Sequence, residues 1–355
     1  MHQSMTTINV VEDCRYVAER SVDVSVDVDG CRKAADQILK SMKDRNYSTA
    51  SWSAHPLNPR VSETTSPEAI LDWLFTVDLL NFSFWSETDR NDTGRADTQR
   101  YAVEYKGSLY TGYWSLVAAI NRAVDEGIPI TSPSFWISEE FGPELLNSVF
   151  ASATSEQIPM FKERFSVLVE AGEVMAKYRV NSFASFVKEA DQSALKLVEI
   201  LSARFKSFDD KSVYKQRKVH ILKRAQILVA DIWACFEGKS YGKFADIDQI
   251  TMFADYRVPQ ILHSLKCLRY SNLLTDHLRN LEGIEHGDSR EVELRACSIW
   301  AVETIRQEIL RKDPHAKVNS ILIDYYLWDT AKEMQSSGID TRTIIPCHRT
   351  RSIYY

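Results

Sequence analysis

Apolar residues recur at helical spacing along most of this chain, and the pattern predicts a mostly α-helical protein. The first such stretch begins near residue 29, and from about residue 134 to residue 312 the pattern is helical nearly throughout. Polar residues divide the chain into separate helices. We expect them at about 66–80, 112–127, 143–150, 159–178, 182–188, 194–205, 214–236 and 288–309. No β-α-β alternation is present in the sequence, so a parallel sheet is not expected.

Several predicted helix ends carry recognisable capping signals. Ser66 followed by Pro67 predicts a helix start, and Asp288 is followed three residues later by Glu291, the pattern of a capping box. Asp29 is a candidate cap for the first helix. The minor β element comes from a predicted hairpin near residues 106–107 and from the alternating valines at positions 22, 24, 26 and 28, which suggest a short strand or an extended lead-in.

The chain, at 355 residues, is long enough for one large domain or two subdomains, and nothing in its composition resembles a linker. We therefore expect a single helical domain over residues 29–340. Residues 1–28 are expected to form a partly disordered lead-in, frayed over 1–20, and residues 341–355 a C-terminal tail. Residues 50–65, which contain Trp52 and His55, are predicted to be a loop that either walls a site or lies on the surface.

Residues 253–260, with the sequence FADYRVPQ, place an acid, a phenol and a guanidinium side by side in an apolar neighbourhood. Pro259 suits the first turn of a helix, and apolar residues at 247–252 can form a short helix upstream. The predicted arrangement is helix, tight hairpin, helix, with Asp255 in the hairpin. Backbone N–H groups at the start of the second helix would favour negative charge there. The same octet also fits a simple Asx-turn with no chemical role.

A second informative stretch lies near the C-terminus, where the apolar run 321–329 contains two carboxylates, Asp324 and Asp329. Asp324 has apolar neighbours, so we expect it to be buried beside a cation or several hydrogen-bond donors. On a regular helix the two side chains point about 140° apart, from roughly 100° per residue. They would converge only at a helix end or a kink; otherwise one caps a helix and the other is solvated.

Composition and charge exclude several classes of function. Hydrophobic residues make up 44% and charged residues 26% of the chain, and the net charge is −6, with no basic stripe for a polynucleotide. No apolar run approaches the length of a membrane span, and no signal-peptide pattern is present. The six cysteines are scattered, as in reduced proteins of the cytoplasm.

Other candidate chemistry is weak. The eight histidines have no metal-binding spacing, and no phosphate-binding glycine loop or nucleophile elbow is visible. Lys223 and Arg224 could hold a phosphate, but a solvated helix face is the favoured interpretation. We expect neither a metal nor another cofactor.

Taken together, the distinctive stretches resemble the queuosine salvage family, the queuosine 5′-phosphate N-glycosylase/hydrolases. The matching segments run in order from about 30 to 335 and include HPL at 55–57, LLNFSFW at 79–85, GYWSL at 112–116, KRAQIL at 223–228, the octet at 253–260 and IDYYLWD at 323–329. The resemblance implies a fold similar to helix-hairpin-helix DNA glycosylases. It also implies hydrolysis of queuosine 5′-monophosphate to queuine and ribose 5-phosphate, which salvages queuine for tRNA modification.

The resemblance also implies roles for particular residues. Asp255 would be the catalytic carboxylate, Phe253 would contact the base, and the queuine pocket would be lined by His55, Asp324, Tyr325 and Asp329. The partner would be a small-molecule nucleotide, handled by a cytoplasmic monomer without a membrane or a polymeric nucleic acid. Two alternatives stay open: a nucleic-acid glycosylase, which the acidic charge balance disfavours, and a non-catalytic helical protein that binds queuine or a nucleotide.

Overall fold

In the computed structural model the chain is built mainly from α-helices, as the pattern of apolar residues predicts. The structure describes residues 8–44, 48–61, 65–88, 99–336 and 344–355. Within these ranges the α-helices are α1 (Val10–Ala18), α2 (Val28–Asp44), α3 (Ala50–Ala54), α4 (Pro67–Leu79), α5 (Tyr113–Asp125), α6 (Pro143–Val149), α7 (Phe161–Lys177), α8 (Ala184–Glu189), α9 (Ala194–Arg204), α10 (Lys223–Cys235), α11 (Arg257–Ser264), α12 (Asn272–Arg279), α13 (Ser289–Lys312) and α14 (Ser320–Ser336). None of the helices in these ranges combines the length and hydropathy that a membrane span needs.

The strands form two-stranded antiparallel pairs. They are β1 (Val24–Val26), β2 (Ala102–Tyr105), β3 (Ser108–Thr111), β4 (Lys211–Tyr214), β5 (Arg217–His220) and β6 (Leu268–Tyr270). The β2–β3 and β4–β5 pairs are hairpins, whereas β1 pairs with the distant β6, with Val24 opposite Tyr270. The predicted strand near residue 24 and the hairpin near residue 106 are therefore confirmed.

Side-chain caps mark the start of several helices. The Ser66 hydroxyl accepts a hydrogen bond from the N–H of Ala69, as predicted for the start of α4. At α2, however, the predicted cap Asp29 is wrong, because the carboxylate of Asp27 accepts from the N–H of Gly30. The box at α13 is only half formed, since Glu291 accepts from the N–H of Gly287 instead of that of the capping residue.

The helix predicted at 214–236 is shorter than the sequence pattern suggests. It begins at Lys223, and residues 211–220 form the β4–β5 hairpin instead. Side chains alternate along β4, where Tyr214 is buried and Val213 is 68% exposed. Lys215 and Gln216 make the turn with positive φ angles of 44° and 67°. This turn lacks the usual asparagine or glycine, which is why its sequence gave no hairpin signal.

The two ends of the chain are more ordered than expected. The expectation of fraying is wrong for Val10–Ala18, which forms α1, while residues 1–7 lie outside the described residues. Within the segment 50–65, predicted to be a loop, residues Ala50–Ala54 are helical, and residues 62–64 again lie outside the described ranges. Near the C-terminus, the N–H of Ser83 donates to the carbonyl oxygen of Tyr355, whose side chain is buried. The domain boundaries themselves stay a prediction.

The interior consists of two hydrophobic clusters that meet near the octet. One is formed mainly by α4, α5 and α7–α10, and the other by α1, α2 and α11–α14. Phe253 belongs to the first cluster, its neighbours Met252 and Ala254 belong to the second, and Tyr325 packs against both. The octet therefore lies where the two clusters join, and ligand cavities commonly form at such boundaries.

Candidate active site

A cavity of about 640 Å³ opens beside the octet, between the two clusters. All six residues that the sequence singled out contribute to its walls: His55, Phe253, Asp255, Asp324, Tyr325 and Asp329. They come from separate parts of the chain, the end of α3, the segment before α11, and α14. The tertiary structure thus brings the candidate residues into one place, and the size of the cavity suits a small-molecule ligand.

The segment that leads into Asp255 is held by buried polar side chains from three helices. Gln226 of α10 exchanges two hydrogen bonds with Thr251, accepting from its N–H at 2.9 Å and donating to its hydroxyl at 2.8 Å. Asp324 of α14 accepts from the N–H of Phe253 at 3.0 Å. Arg295 of α13 donates from Nε to the carbonyl oxygen of Ala254 at 3.0 Å. Residues 251–255 lie outside any helix or strand, so these side chains supply the hydrogen bonds that a regular element would give the backbone. They fix the backbone just before Asp255.

The helix predicted upstream of this segment is wrong in extent, because only a 3₁₀ turn at Ile247–Gln249 is present. The helix predicted downstream is confirmed as α11. Asp255 lies just before α11, and its Oδ1 accepts from the N–H groups of Arg257 at 2.7 Å and Val258 at 2.9 Å. Within the described ranges Oδ2 accepts no hydrogen bond, and the side chain borders the cavity. The start of the helix thus orients this carboxylate through two backbone N–H groups.

Asp324 is buried, with 5% of its surface exposed, as its apolar surroundings predict. Burial raises the pKa of this carboxyl well above its usual range, the charge of Asp255 raises the pKa further, and the N–H of Phe253 and the charge of Lys223 lower it. Asp324 and Asp329 both border the cavity from one continuous helix. The cavity thus reaches both carboxylates along α14, and their convergence on one group stays a prediction.

Lys223 and Arg224 are not on a solvated face, contrary to the sequence-based interpretation. Lys223 is 6% exposed and borders the cavity, and Arg224 is 1% exposed. The Arg224 guanidinium donates to the carbonyl oxygens of Asp78, Leu79 and Ser207. Burial lowers the pKa of the Lys223 ammonium, while the charges of Asp255, Asp78 and Asp324 raise it. Lys223 is therefore a cation placed among the carboxylates of the site.

Two further carboxylates near the cavity carry no role in the sequence-based assignment. Asp231 of α10 borders the cavity and accepts a hydrogen bond from the Tyr325 hydroxyl at 3.1 Å. Burial and the charge of Asp78 raise the pKa of Asp231 well above its usual range. Burial also raises the pKa of Asp78 to about 7. In the sequence Asp231 is interleaved with the apolar residues of the predicted helix, a pattern that does not distinguish a buried carboxylate from a solvated one.

Aromatic rings provide flat surfaces in the same cavity. The His55 ring stacks on Trp114, with ring centroids 3.3 Å apart and planes 9° apart, and its Nδ1 accepts from the N–H of Leu57. Trp328 of α14 meets Trp114 edge to face at 6.3 Å. Phe253 and Tyr325 lie 6.2 Å apart. Such rings can stack on a heterocyclic base.

The site combines an oriented carboxylate with a buried acidic pocket and aromatic walls. This arrangement can stabilise a positive charge that develops close to Asp255, and it can bind a flat base that carries a cationic substituent. In the part of the chain that the structure describes, no group of three or more His, Cys, Asp or Glu side chains is arranged to hold a metal ion.

Comparison with known proteins extends the motif resemblance to nearly the whole chain. The model of a family described as queuosine salvage protein matches residues 60–355. A Schizosaccharomyces pombe protein named queuosine 5′-phosphate N-glycosylase/hydrolase is 48% identical over 352 residues, covering 98% of this chain and 99% of that protein. Proteins of the same name from Mus musculus and Sphaerobacter thermophilus are 43% and 34% identical, covering 97% and 98% of this chain and 98% of each relative.

Proposed function

The chain belongs to the queuosine salvage protein family, and from this membership we infer that it is an N-glycosyl hydrolase that acts on queuosine 5′-phosphate. The reaction releases the base queuine and leaves ribose 5-phosphate. The observation that carries the proposal is Asp255, a carboxylate bound by two backbone N–H groups of α11 at the wall of an acidic, aromatic cavity.

The proposed mechanism places Asp255 on the sugar side of the glycosidic bond. As the bond between the base and C1′ breaks, positive charge develops on the ribose, which becomes oxocarbenium-like. The fixed carboxylate of Asp255 stabilises that charge, or takes a proton from the water that attacks C1′. Its Oδ1 is engaged by the N–H groups of Arg257 and Val258, so the orientation of the carboxylate is set before substrate arrives.

The leaving group increases the demand on this carboxylate. Queuine is a 7-deazapurine, so it lacks the N7 atom that many glycosylases protonate. Assistance to the base must come from hydrogen bonds to its pyrimidine ring, and much of the catalysis then depends on the sugar side. Lys223 also borders the cavity, and the charge of Asp255 raises the pKa of its ammonium, so the two groups interact.

The acidic end of the cavity suits the substituent of the base. Queuine carries a cyclopentenediol on an aminomethyl arm, whose amine is cationic at neutral pH. We propose that Asp324 and Asp329 bind the ammonium and the diol. His55, Phe253 and Tyr325 are proposed to contact the ring system. Asp231 accepts a hydrogen bond from the Tyr325 hydroxyl and so helps to hold Tyr325 at the cavity wall.

We also propose that the protein works in the cytoplasm as a monomer, without a metal or other cofactor, and that its fold is similar to that of helix-hairpin-helix DNA glycosylases. All six cysteines are free and buried, which supports a reducing compartment. The fold proposal rests on the motif resemblance and on the acid placed before α11. A mononucleotide substrate agrees better than a polymer with the net charge of −6.

One assay separates this function from its alternatives. The protein is incubated with queuosine 5′-monophosphate or with queuosine-containing tRNA, and free queuine is followed by mass spectrometry. We expect release from the mononucleotide and a loss of roughly 100-fold or more in kcat for Asp255→Asn. Binding of queuine without release would identify a non-catalytic binding protein. Release from tRNA that weakens steeply with salt would identify a nucleic-acid glycosylase.

A further inference from the structure

Two arginines mark the end of the cavity that lies near the start of α11. Arg257 is the first residue of α11 and follows Asp255 by two positions, and Arg100 lies just before β2. Both border the main cavity, and both also border a small adjoining cleft with Trp85 and Arg349. The two guanidinium groups therefore face the same region.

Each of these arginines is held by surrounding groups. The Nη1 of Arg257 donates to the Gln260 amide oxygen at 3.3 Å and contacts the sulfur of Cys347 at 3.1 Å. Arg100 is buried, and its Nη2 donates to the carbonyl oxygen of Phe84 at 3.3 Å. Held side chains of this kind lose little conformational entropy when they bind an anion.

The electrostatic surroundings place both arginines near one tyrosine. Burial raises the pKa of Tyr256 to about 12, and the charges of Arg257 and Arg100 both lower the pKa. Lys223, by contrast, lies among Asp255, Asp78 and Asp324. Along the octet the two arginines thus lie at Tyr256 and Arg257, after Asp255, whereas Asp324 binds Phe253, before it.

We propose that Arg100 and Arg257 form the subsite for the 5′-phosphate of the substrate, an assignment that rests on the proposed function. The order of charges in the cavity matches the order of groups in the nucleotide. The cationic arm of the base faces Asp324, the glycosidic bond lies at Asp255, and the phosphate lies at Arg257.

The spacing along the octet agrees with this orientation. Phe253, whose N–H is bound by Asp324, is two residues before Asp255, and Arg257 is two residues after it. Two residues span at most about 7 Å between Cα atoms. The long side chain of Arg257 can therefore extend toward the 5′ carbon of a ribose that lies at Asp255. Guanidinium groups bind phosphate oxygens through paired, charge-assisted hydrogen bonds, so these arginines select for a phosphorylated ribose.

Product inhibition tests this subsite without requiring turnover of a second substrate. Inhibition constants of ribose 5-phosphate and of queuine are measured against queuosine 5′-monophosphate hydrolysis for the wild type, Arg257→Gln and Arg100→Gln. We expect each substitution to raise the constant for ribose 5-phosphate by roughly 10-fold or more, because a charge-assisted hydrogen bond is lost. The constant for queuine should change much less, since the base binds at the other end.

Arg351→Gln is the matched control. Arg351 stacks on Trp85 at 3.4 Å and donates to its carbonyl oxygen at 2.9 Å, and it is not among the residues that line the cavity. The control removes the same charge nearby and should leave both constants nearly unchanged. If the control raises the inhibition constant for ribose 5-phosphate as much as Arg257→Gln does, the assignment of a direct phosphate subsite is wrong. The constant would then depend only on the net charge of the region.

A second readout is the preference for the phosphorylated substrate, the ratio of kcat/KM for the nucleotide to that for the unphosphorylated nucleoside. We expect Arg257→Gln to lower this ratio by roughly 10-fold or more. Equal losses on both substrates, or no change in either inhibition constant, would overturn the assignment. A wild type that releases no queuine from the nucleotide would instead contradict the proposed function, so the two failures are distinguishable.

Discussion

The Nε of Arg295 donates a hydrogen bond to the carbonyl oxygen of Ala254 at 3.0 Å, one residue before Asp255. The same guanidinium binds both carboxylate oxygens of Asp210, at 3.0 and 2.6 Å, and one oxygen of Glu291 at 3.3 Å. Arg295 is fully buried. The backbone that carries the proposed catalytic acid is therefore tied to a buried ionic cluster formed by Asp210 and two residues of α13, Glu291 and Arg295.

We predict that Arg295→Lys lowers both stability and kcat. Lysine lacks the planar set of donors, so it cannot serve Asp210, Glu291 and Ala254 together, and a buried charge pair that loses a partner costs about 3–5 kcal/mol. Denaturant unfolding and single-turnover hydrolysis of folded protein measure the two effects. Arg306→Lys on the same helix is the control, because its half-buried pair with Glu303 should contribute less than about 1 kcal/mol. A kcat that stays at the wild-type level in folded protein would show that Arg295 is not needed to position Asp255.

We predict that Asp324→Asn raises KM for queuosine 5′-monophosphate by roughly 10-fold or more, with a smaller effect on kcat. The amide oxygen can still accept from the N–H of Phe253, so the local backbone should be retained, while the negative charge for the cationic arm is lost. Asp329→Asn, at a more exposed position, should have a smaller effect. An unchanged KM for Asp324→Asn would remove this residue from the base pocket.

The raised pKa of Asp324 leads to a prediction about proton release. Burial and Asp255 favour the protonated carboxyl in the free protein, whereas a bound ammonium favours the carboxylate. Queuine binding should therefore release protons at pH values below the raised pKa, and Asp324→Asn should reduce that release. Calorimetry in buffers of different ionisation enthalpy measures the number of protons. Equal release by both proteins would mean that Asp324 does not titrate on binding.

We predict that Lys223→Met lowers kcat by roughly 100-fold, on the scale of other electrostatic contributions to catalysis. The substitution keeps an unbranched side chain but removes the cation that lies among Asp255, Asp78 and Asp324. The pKa of Asp324 should then rise further, because Lys223 lowers it in the wild type. Lys196→Met, an exposed position on α9, is the control and should retain wild-type kcat.

Asp72 allows a prediction of stability against pH. Burial raises its pKa from 3.8 to about 6, although the N–H of Phe183 and the hydroxyl of Ser182 both donate to its Oδ1. The native state therefore holds this proton more tightly than the unfolded chain does. Its contribution to the free energy of unfolding is fully present below about pH 4 and is lost as pH rises through about 6.

Asp72→Asn should consequently stabilise the protein at pH 8, by about 1–2 kcal/mol, and make little difference near pH 4. The asparagine oxygen can accept the same two hydrogen bonds and carries no charge. Denaturant unfolding of both proteins across this pH range is the measurement. A variant that is less stable than wild type at pH 8 would contradict the prediction, because it would mean that the charged form is favoured in the native state.

The sequence by itself was sufficient for most of the helices and for the family, and the six site residues that it singled out all border one cavity. Capping signals such as Ser66 and the spacing of apolar residues act over a few neighbouring residues, so they can be read locally. The distinctive motifs around Asp255 and Asp324 identified the family, and the structure brings both residues to one cavity. The β4–β5 hairpin was missed because Lys215 and Gln216 adopt positive φ without the residues that usually signal it.

Only the tertiary structure decided which charged side chains are buried and what they face. Lys223 and Asp231 fit an exposed helix face in sequence, yet both border the cavity, because other helices cover the face that carries them. Likewise, no local pattern connects Arg295 with Ala254, or Arg100 with Arg257. Periodicity records which side of a helix is apolar, whereas the electrostatics of a site depend on residues that are distant in the chain and meet only when the core is packed.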